Sequence, residues 1–313
     1  MKYRLLLLLL PYFFISLILA IYGYGGHDFF VFENAYTNLL AGRSPYATSS
    51  THEGFYGYGP ILALLVFLFF FLIGGIVGGL LATKICMIVG NTLAAIVLFD
   101  LAKHLKNEKF AFYTILSYIL NPFVPLVTIF LNTQADGWNA VFILLTLDLF
   151  VREKHDLAIL ALICGFMIKY SPILVIFPIF ASAISRTLKV RYLIFSILGI
   201  SIIYFLVTEA MGTSIIDAIR GLYFFGLKKP SAHSLWTYLP QYYIYGTISI
   251  WSLNIFYVIP LTIYFYNKKN YELTRITFVF YSLFYVFTRY VLLQYFVWII
   301  PLIPFLFMES TSS

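Results

Sequence analysis

Charged residues are scarce in this chain, where Asp, Glu, Lys and Arg together make up 11% of the 313 residues. Hydrophobic residues make up 62%, well above their share in soluble globular domains. The few polar stretches are too short to form a separate soluble domain. We therefore predict an all-α polytopic membrane protein in which residues 1–313 form one domain.

Cysteines and recognised ligand-binding motifs are also rare. Cys86 and Cys164 both lie inside apolar segments, so the sequence offers neither a disulfide framework nor a cysteine metal site. The chain contains no Walker loop, no Gly-x-Gly-x-x-Gly motif and no His-Glu-x-x-His motif. The formal charge of +7 comes from short basic loops, which suit orientation in a membrane better than nucleic-acid binding.

Apolar segments fill most of the remaining sequence and predict about eight to ten transmembrane or re-entrant helices. The first is interpreted as a retained signal-anchor helix, because it is long and lacks a small-x-small cleavage site. At about 1.5 Å per residue, Trp138–Val151 is too short to cross a bilayer core about 30 Å thick. The segments are Leu5–Tyr22, Pro60–Ala82, Ile85–Ala102, Phe110–Leu131, Trp138–Val151, Leu157–Ser182, Tyr192–Thr208, Tyr238–Tyr266, Thr274–Tyr290 and Val291–Phe307.

The basic loops predict how the chain is oriented. Clusters at Lys2, Arg186 and Lys268 mark the cytoplasmic side under the positive-inside rule. A first outer loop at residues 25–59 and a second at residues 209–237 then share the opposite face.

Counting the predicted spans gives less consistent positions for two other loops. The basic turn Lys103–Lys109 falls outside, against the positive-inside rule, and Asn132–Gly137 falls inside. If Phe110–Leu131 and Trp138–Val151 instead form a re-entrant pair, Asn132–Gly137 lies within the membrane and opens to the outer face. Irregular backbone at that depth must line a cavity. We favour the re-entrant arrangement, and the sequence leaves both open.

The first outer loop contains a predicted surface helix from Asp28 to Gly42. Apolar residues recur at helical spacing, with Asp28 expected to cap the start and Gly42 to end the helix. We expect the helix to lie in the membrane interface with its aromatic face towards lipid. The alternative is an aromatic-rich connection without a function. The apolar positions are Phe29, Phe32, Tyr36 and Leu39 or Leu40.

Several polar residues interrupt apolar sequence. Lys169 lies in the middle of a span, where a cation costs a few kcal/mol, so it should face protein, a water cavity or an anion. Asn132–Gly137 carries Gln134 and Asp136, and a plain turn is as good an explanation as a functional site. Gln294 requires an internal partner.

Other polar or small residues carry simpler expectations. In the second outer loop, Lys228, Lys229 and His233 suit either a bound phosphate or anionic lipid headgroups. Asp100 and Asp148, near the ends of spans, are expected to be solvated. A further cluster is expected to lie within one helix and to permit close helix packing. It comprises Gly74, Gly75, Gly78 and Gly79.

Taken together, these motifs resemble the glycosyltransferases of the GT-C fold that use lipid-phosphate sugars, and most of all the catalytic-subunit family of GPI mannosyltransferase I. The similar stretches occur in the family's order across nearly the whole chain. They are His27–Tyr46, Tyr58-Gly59-Pro60, Asn121-Pro122 with Asn132–Gly137, Gly165-Phe166 with Lys169, His233-Ser234, and Gln294–Trp298.

The resemblance implies an inverting transferase that moves a hexose, in first place mannose, from a polyprenyl (dolichyl) phosphate donor to a lipid-linked or glycan acceptor. Asp28 would be the general base, because it matches the second acid of the family's Asp-x-Asp motif. The phosphate would leave as an anion and needs cations. The candidate cations are Arg43, Lys169, Lys228, Lys229 and His233, and secondary site residues are Glu33, Tyr46, Gln134, Asp136 and Gln294.

The chain departs from the family where Gly26 replaces the first acid of the motif. We therefore predict no metal ligands, with a divalent cation, Mg²⁺ or Mn²⁺, as the alternative. A small membrane partner subunit is a further possibility. The multi-pass protein would lie in the cell membrane of a prokaryote or the endoplasmic reticulum membrane of a eukaryote.

A transporter or flippase for a lipid-linked sugar is the rival hypothesis. A lysine within the membrane and broken helices suit such a protein. Against it, the sequence has no paired halves, and its polar residues are expected to concentrate in the outer loops.

Overall fold

The computed structural model describes residues 2–46, 58–181, 186–214, 216, 258–265, 273–287 and 295–307, and these form helices and connections without a strand. The long helices are α1 (Lys2–Tyr22), α2 (Gly26–Leu40), α3 (Pro60–Phe69), α5 (Gly79–Leu105), α6 (Glu108–Ile119), α8 (Asp136–Val151), α9 (His155–Ile168), α11 (Arg186–Ala210) and α12 (Leu273–Phe287). The short helices are α4 (Gly75–Val77), α7 (Phe123–Pro125), α10 (Ile176–Ala181) and α13 (Phe296–Ile299). The shorter turns are two π-helical segments, Phe70–Gly74 and Leu126–Phe130, and two 3₁₀ segments, Ser171–Val175 and Ile300–Phe307.

Within these residues, four helices are long and apolar enough to cross a membrane. A fifth is added if Glu108–Ile119 and Phe123–Phe130, which meet at 43°, count as one bent span. The predicted all-α membrane protein is therefore confirmed. Of the predicted span Tyr238–Tyr266, only residues 258–265 lie within the described part, where they are helical.

The boundary between the second and third predicted spans was wrong. The sequence placed it at Thr83 and Lys84, but the chain breaks at Gly78, and α5 then continues for 27 residues. Gly78 has φ +85° and ψ 153°, a conformation open essentially only to glycine. The glycine cluster therefore does not lie within one helix as expected, because Gly78 separates α4 from α5.

Lys84 remains inside α5 because the end of α1 supplies its partners. Its Nζ donates to the carbonyl oxygens of Ala20, at 3.1 Å, and Gly23, at 2.6 Å. The last carbonyls of a helix lack intrahelical partners and carry partial negative charge, so a buried ammonium is stabilised there. This contact fixes the start of α5 beside the end of α1.

Helices α1 and α5 run antiparallel. Lys84 lies at the end of α1, whereas Phe99, near the end of α5, lines a groove together with Leu5 at the start of α1. The end of α1 and the start of α5 therefore lie at the same end of the bundle. The α5–α6 turn lies at the same end of the bundle as the start of α1. This corrects the placement of Lys103–Lys109 on the outer face, which came from counting the predicted spans along the sequence.

Helix α8 runs parallel to α5 and brings a second turn to that end. Trp138 Nε1 donates to the Cys86 carbonyl at 3.0 Å, and Arg152, just after α8, forms an ion pair with Asp100 at 2.8 Å. Arg152 also contacts Asp148 at 2.9 Å. Asp148 is 4% exposed, so the expectation that it is solvated was wrong. The positive-inside rule predicts that this end, which carries the basic turns, faces the cytoplasm.

Helix α2 ends where the sequence predicts, but its start differs from the prediction. Gly42 has φ +66°, its N–H donates to Leu39 O at 3.1 Å, and the Arg43 N–H donates to Asn38 O at 2.8 Å. These two bonds form a Schellman motif, which confirms Gly42 as the stop. The N-cap is Gly25, without a side-chain cap, so the prediction that Asp28 caps the helix was wrong, and Asp28 lies in the first turn.

The apolar face of α2 packs against protein and not against lipid as expected. Phe32 is fully buried and stacks on Tyr58 with ring centroids 5.2 Å apart. Tyr36 lies against Phe70 at 4.2 Å. Leu40, one of the predicted apolar positions, is exposed.

The predicted span Leu157–Ser182 is broken in the middle. Helix α9 ends at Ile168, and Lys169 is extended, with φ −155° and ψ 147°. Pro172 is the second residue of the following 3₁₀ segment, a position that suits its missing N–H. Gly59 donates its N–H to Ile168 O at 3.0 Å and lies so close to Met167 that a side chain at Gly59 would have no space. The chain before α3 is thereby fixed against the break.

Candidate functional site

A buried ion pair lies at the centre of the candidate site. Lys169 Nζ is 2.9 Å from Asp136 Oδ1, and the side chains are 3% and 0% exposed. The break after α9 directs Lys169 towards the start of α8, where Asp136 occupies the first turn. A carboxylate is favoured at a helix N-terminus, so the position helps to stabilise the acid of the pair.

Aromatic rings surround this ion pair. Trp298 Nε1 donates to Asp136 Oδ1 at 2.6 Å. The Lys169 ammonium lies 5.5 Å from the ring centroid of Tyr58, 4.9 Å from that of Tyr295 and 5.2 Å from that of Trp298. Cation–π contacts at desolvated sites add about 2 kcal/mol or more. The lysine is therefore held by one carboxylate and three rings.

The first outer loop reaches this centre through hydroxyl contacts. The Tyr46 hydroxyl donates to the Tyr58 carbonyl at 3.0 Å, and the Tyr58 hydroxyl donates to Gln134 Oε1 at 3.2 Å. Tyr46 and Gln134 are each 3% exposed. Tyr46 was named as a secondary site residue from the sequence, and its burial assigns it to packing.

The start of α2 rests directly on the segment Asn132–Gly137. Thr133 Oγ1 donates to Gly25 O at 2.9 Å. Gly26 has φ +64°, and a side chain there would meet Asn132. This contact places the α2 turn that carries Asp28 beside Asn132–Gly137, at the end of the bundle opposite to the basic turns.

The acids and the arginine of α2 differ in their surroundings. Asp28 is half-buried and makes a contact, whereas Glu33 is exposed. Arg43 is exposed directly after the Schellman motif. Ser44 accepts a hydrogen bond from Thr213 Oγ1 at 2.8 Å, so the described parts of the two outer loops lie together.

The structure changes the interpretation of Lys169 and Asp136. Lys169 was expected to meet a donor phosphate, but its charge is already paired with Asp136 and its side chain is buried. Asp136, one of the secondary site residues predicted from the sequence, is equally enclosed. Lys228, Lys229, His233 and Gln294, the remaining site residues predicted from the sequence, lie outside the described residues.

Several members of the cluster were not selected by sequence reasoning. Tyr281 donates its hydroxyl to Ser171 O at 2.8 Å, and Asn139 Nδ2 donates to Ser171 Oγ. Asn139 follows Asp136 by one helical turn, a spacing that would have linked the two. Trp298 ends the Gln294–Trp298 stretch that carries part of the resemblance. A buried indole N–H usually has a hydrogen-bond acceptor, and this was the signal in the sequence that could have pointed to Trp298.

Divalent-metal ligands do not assemble among the described residues. No group of three or more His, Cys, Asp or Glu side chains there lies close enough to hold an ion. At the family's Asp-x-Asp position, Gly26 supplies no carboxylate and lies against Asn132.

Comparison with known proteins adds no relative to this picture. No protein-family model matches the chain, and no curated protein matches it.

Proposed function

We propose that this protein is a membrane-embedded glycosyltransferase of the GT-C type. It transfers a hexose, with mannose as the first candidate, from a polyprenyl phosphate to a lipid-linked or glycan acceptor. The supporting observation is that stretches far apart in the sequence, which carry the resemblance, contact one another. These contacts are Tyr58 with Gln134, and Lys169 and Trp298 with Asp136. Two more join a stretch to a residue next to another stretch: Thr133 contacts Gly25, just before His27, and Gly59 contacts Ile168, which precedes Lys169.

In this proposal Asp28 is the general base. It lies at the end of the bundle opposite to the basic turns, in the first turn of α2, where exposed amides favour an ionised carboxylate. A carboxylate there would take the proton of the acceptor hydroxyl as the sugar–phosphate bond breaks. The phosphate departs as an anion, so it needs no general acid.

Arg43 is the candidate partner of the departing phosphate. Among the five predicted cations, Arg43 and Lys169 are described, and Arg43 alone of these two is exposed. A guanidinium presents its N–H groups in a fork that matches phosphate oxygens.

The Asp136–Lys169 pair has a supporting role in this proposal. It joins the break after α9 to the start of α8, and the same Asp136 oxygen accepts a hydrogen bond from the indole N–H of Trp298. Asn132–Gly137, which carries α2, is thereby anchored to two other parts of the chain, the break after α9 and Trp298. The pair would hold Asp28 in position without touching the substrate.

The direct test is sugar transfer by the purified protein in nanodiscs. Radiolabelled polyprenyl-phosphate mannose and the corresponding glucose donor are incubated with lipid and glycan acceptors, and the product is identified by mass spectrometry. Transfer that depends on Asp28 and survives Glu33→Gln would support the proposal. Absence of transfer from every donor, with correctly folded protein, would overturn it.

A transporter for a lipid-linked sugar is the second candidate. The observation that favours it is the buried ion pair at a broken helix, because charges within membrane segments often mark a transport path. The polar groups are also not confined to the outer loops as expected, since Gln134, Asp136 and Asn139 are buried between helices. Translocation of labelled lipid-linked sugar in proteoliposomes, without a new glycosidic bond, would support this alternative.

A further inference from the structure

An apolar groove lies at the end of the bundle opposite to α2. Its cavity has a volume of about 580 Å³, within the range of small-molecule sites. Helices α1, α5 and α6 form its walls. Residues that line it include Leu5, Leu7, Phe99, Phe112, Glu108 and Lys109.

The groove is apolar along its length and charged at one end. Glu108 and Lys109 belong to the first turn of α6, whereas Phe112 and Tyr113 lie one turn further along that helix. Phe99 lies six residues before the end of α5, which is about 9 Å at 1.5 Å per residue. Apolar walls beside a charged end fit an amphiphile with a hydrocarbon chain.

The charged end of the groove is lined by one acid and one base, Glu108 and Lys109. Two more lysines are close to it in the sequence, Lys103 near the end of α5 and Lys106 in the α5–α6 turn. Lys106 and Lys109 are exposed, and Lys106 lies 5.4 Å from the ring centroid of Phe110. Asn107 caps α6 by accepting the Phe110 N–H at 2.8 Å, which fixes the turn. At the groove an anionic headgroup would meet the ammonium of Lys109, with the exposed Lys106 nearby on the same turn.

We propose that the α1–α6 groove binds one acyl chain of an anionic phospholipid, with the lipid phosphate beside Lys109. The site is independent of the proposed transfer reaction, because it lies at the other end of the bundle and shares no residue with the Asp136–Lys169 cluster. The acyl chain and the headgroup of the lipid both contribute to binding. The walls of the groove bury the acyl chain, and the lysines favour a negatively charged headgroup. Clusters of basic residues at a membrane surface contribute such selection for anionic lipids.

The test is native mass spectrometry of the full chain in detergent, loaded with equal amounts of phosphatidylglycerol and phosphatidylcholine. We expect preferential retention of phosphatidylglycerol by the parent protein. Lys109→Gln should reduce that preference about fivefold, the effect typical of one lysine near a lipid surface. Lys154→Gln is the matched control, because Lys154 is an exposed lysine on the α8–α9 turn at the same end. Both positions are exposed, so neither change endangers folding.

Two further measurements separate the contribution of the lipid acyl chain to binding from that of the headgroup. Glycerophosphoglycerol, which has no acyl chains, should fail to compete, as should inorganic phosphate. Leu7→Trp should fill the groove and reduce retention of phosphatidylglycerol, whereas Leu6→Trp should not, because Leu6 is exposed on the same helix but does not line the groove.

Any of three results would overturn the lipid site. They are equal retention of the two lipids by the parent protein, equal loss in Lys109→Gln and Lys154→Gln, and equal loss in Leu7→Trp and Leu6→Trp. Competition by either chainless compound would reduce the site to an anion site and would also contradict the proposal.

Discussion

Lys169 Nζ and Asp136 Oδ1 lie 2.9 Å apart with both side chains almost fully buried, although the two residues are separated by two helices and a turn. Removal of one partner of a buried pair leaves an uncompensated charge and costs about 3–5 kcal/mol. Replacement of both partners by neutral residues leaves no such charge. The contribution of each residue to the stability of the protein therefore depends strongly on the presence of the other.

We expect Lys169→Met and Asp136→Asn each to destabilise the protein by about 3–5 kcal/mol and the double variant to recover part of that loss. The measurement is the thermal transition in detergent, followed by fluorescence size-exclusion chromatography. Arg152→Gln is a control, since it removes a partly exposed ion-pair partner and should cost less. Additive losses in the double variant would contradict the coupling.

Asp28→Asn should fold and lose sugar transfer by a factor of about 10² to 10⁴, because the amide keeps the size of the side chain but cannot accept the proton. Glu33→Gln is the matched control on the same helix, and its exposed position predicts a smaller loss. Initial rates with radiolabelled donor in nanodiscs provide the measurement. Near-normal transfer by Asp28→Asn would show that another group is the base.

Arg43→Gln should weaken the use of the donor by tenfold or more, since a charge-assisted hydrogen bond contributes about 1.5–3 kcal/mol. Arg43→Lys should restore only part of the loss, because lysine keeps the charge but lacks the forked donor geometry. The dependence of rate on donor concentration, at saturating acceptor, separates this effect from acceptor binding. An unchanged donor dependence in Arg43→Gln would place the phosphate elsewhere.

Gly59→Ala should strongly reduce the yield of folded protein, because a β-carbon would overlap backbone atoms of Met167 and not the end of a flexible side chain. Gly42→Ala is the comparison, since Gly42 has φ +66° but nothing near its missing side chain. Its cost should be limited to backbone strain of about 1–2 kcal/mol. Equal yields and thermal transitions for the two variants would indicate that the loop before α3 is not fixed against α9.

Single cysteines should label from opposite sides of the membrane. In a Cys164→Ala background, Arg43→Cys should react from outside intact cells, and Lys106→Cys and Lys154→Cys only after permeabilisation, because both lysines lie at the end where α1 starts. Ser50→Cys and Ser231→Cys, in parts of the two outer loops outside the described residues, should both react from outside. Labelling of Arg43→Cys and Lys106→Cys from one side would contradict the antiparallel arrangement of α1 and α5.

Local sequence determined the class of the protein and several helix ends. Low charge and long apolar segments require a helical membrane protein, since lipid offers no partners to the backbone. Gly42 ends α2 because its positive φ suits glycine. The basic residues Arg186, Lys189 and Arg191 lie in the first two turns of the long helix α11, and its apolar part follows them. Each of these features depends on residues within one or two helical turns.

Tertiary contacts decided the remaining features. A lysine within an apolar segment is compatible with lipid, water, an anion or a carboxylate, and only the placement of α8 beside the break after α9 selects Asp136. The same holds for Lys84, whose partners are carbonyls at the end of α1, and for the orientation of the α5–α6 turn. Hydropathy treats Pro60–Ala82 as one crossing because it measures apolar content and not direction. The direction follows from the glycine conformation at Gly78 and from the packing of α5 against α1, which bring together residues far apart in the sequence.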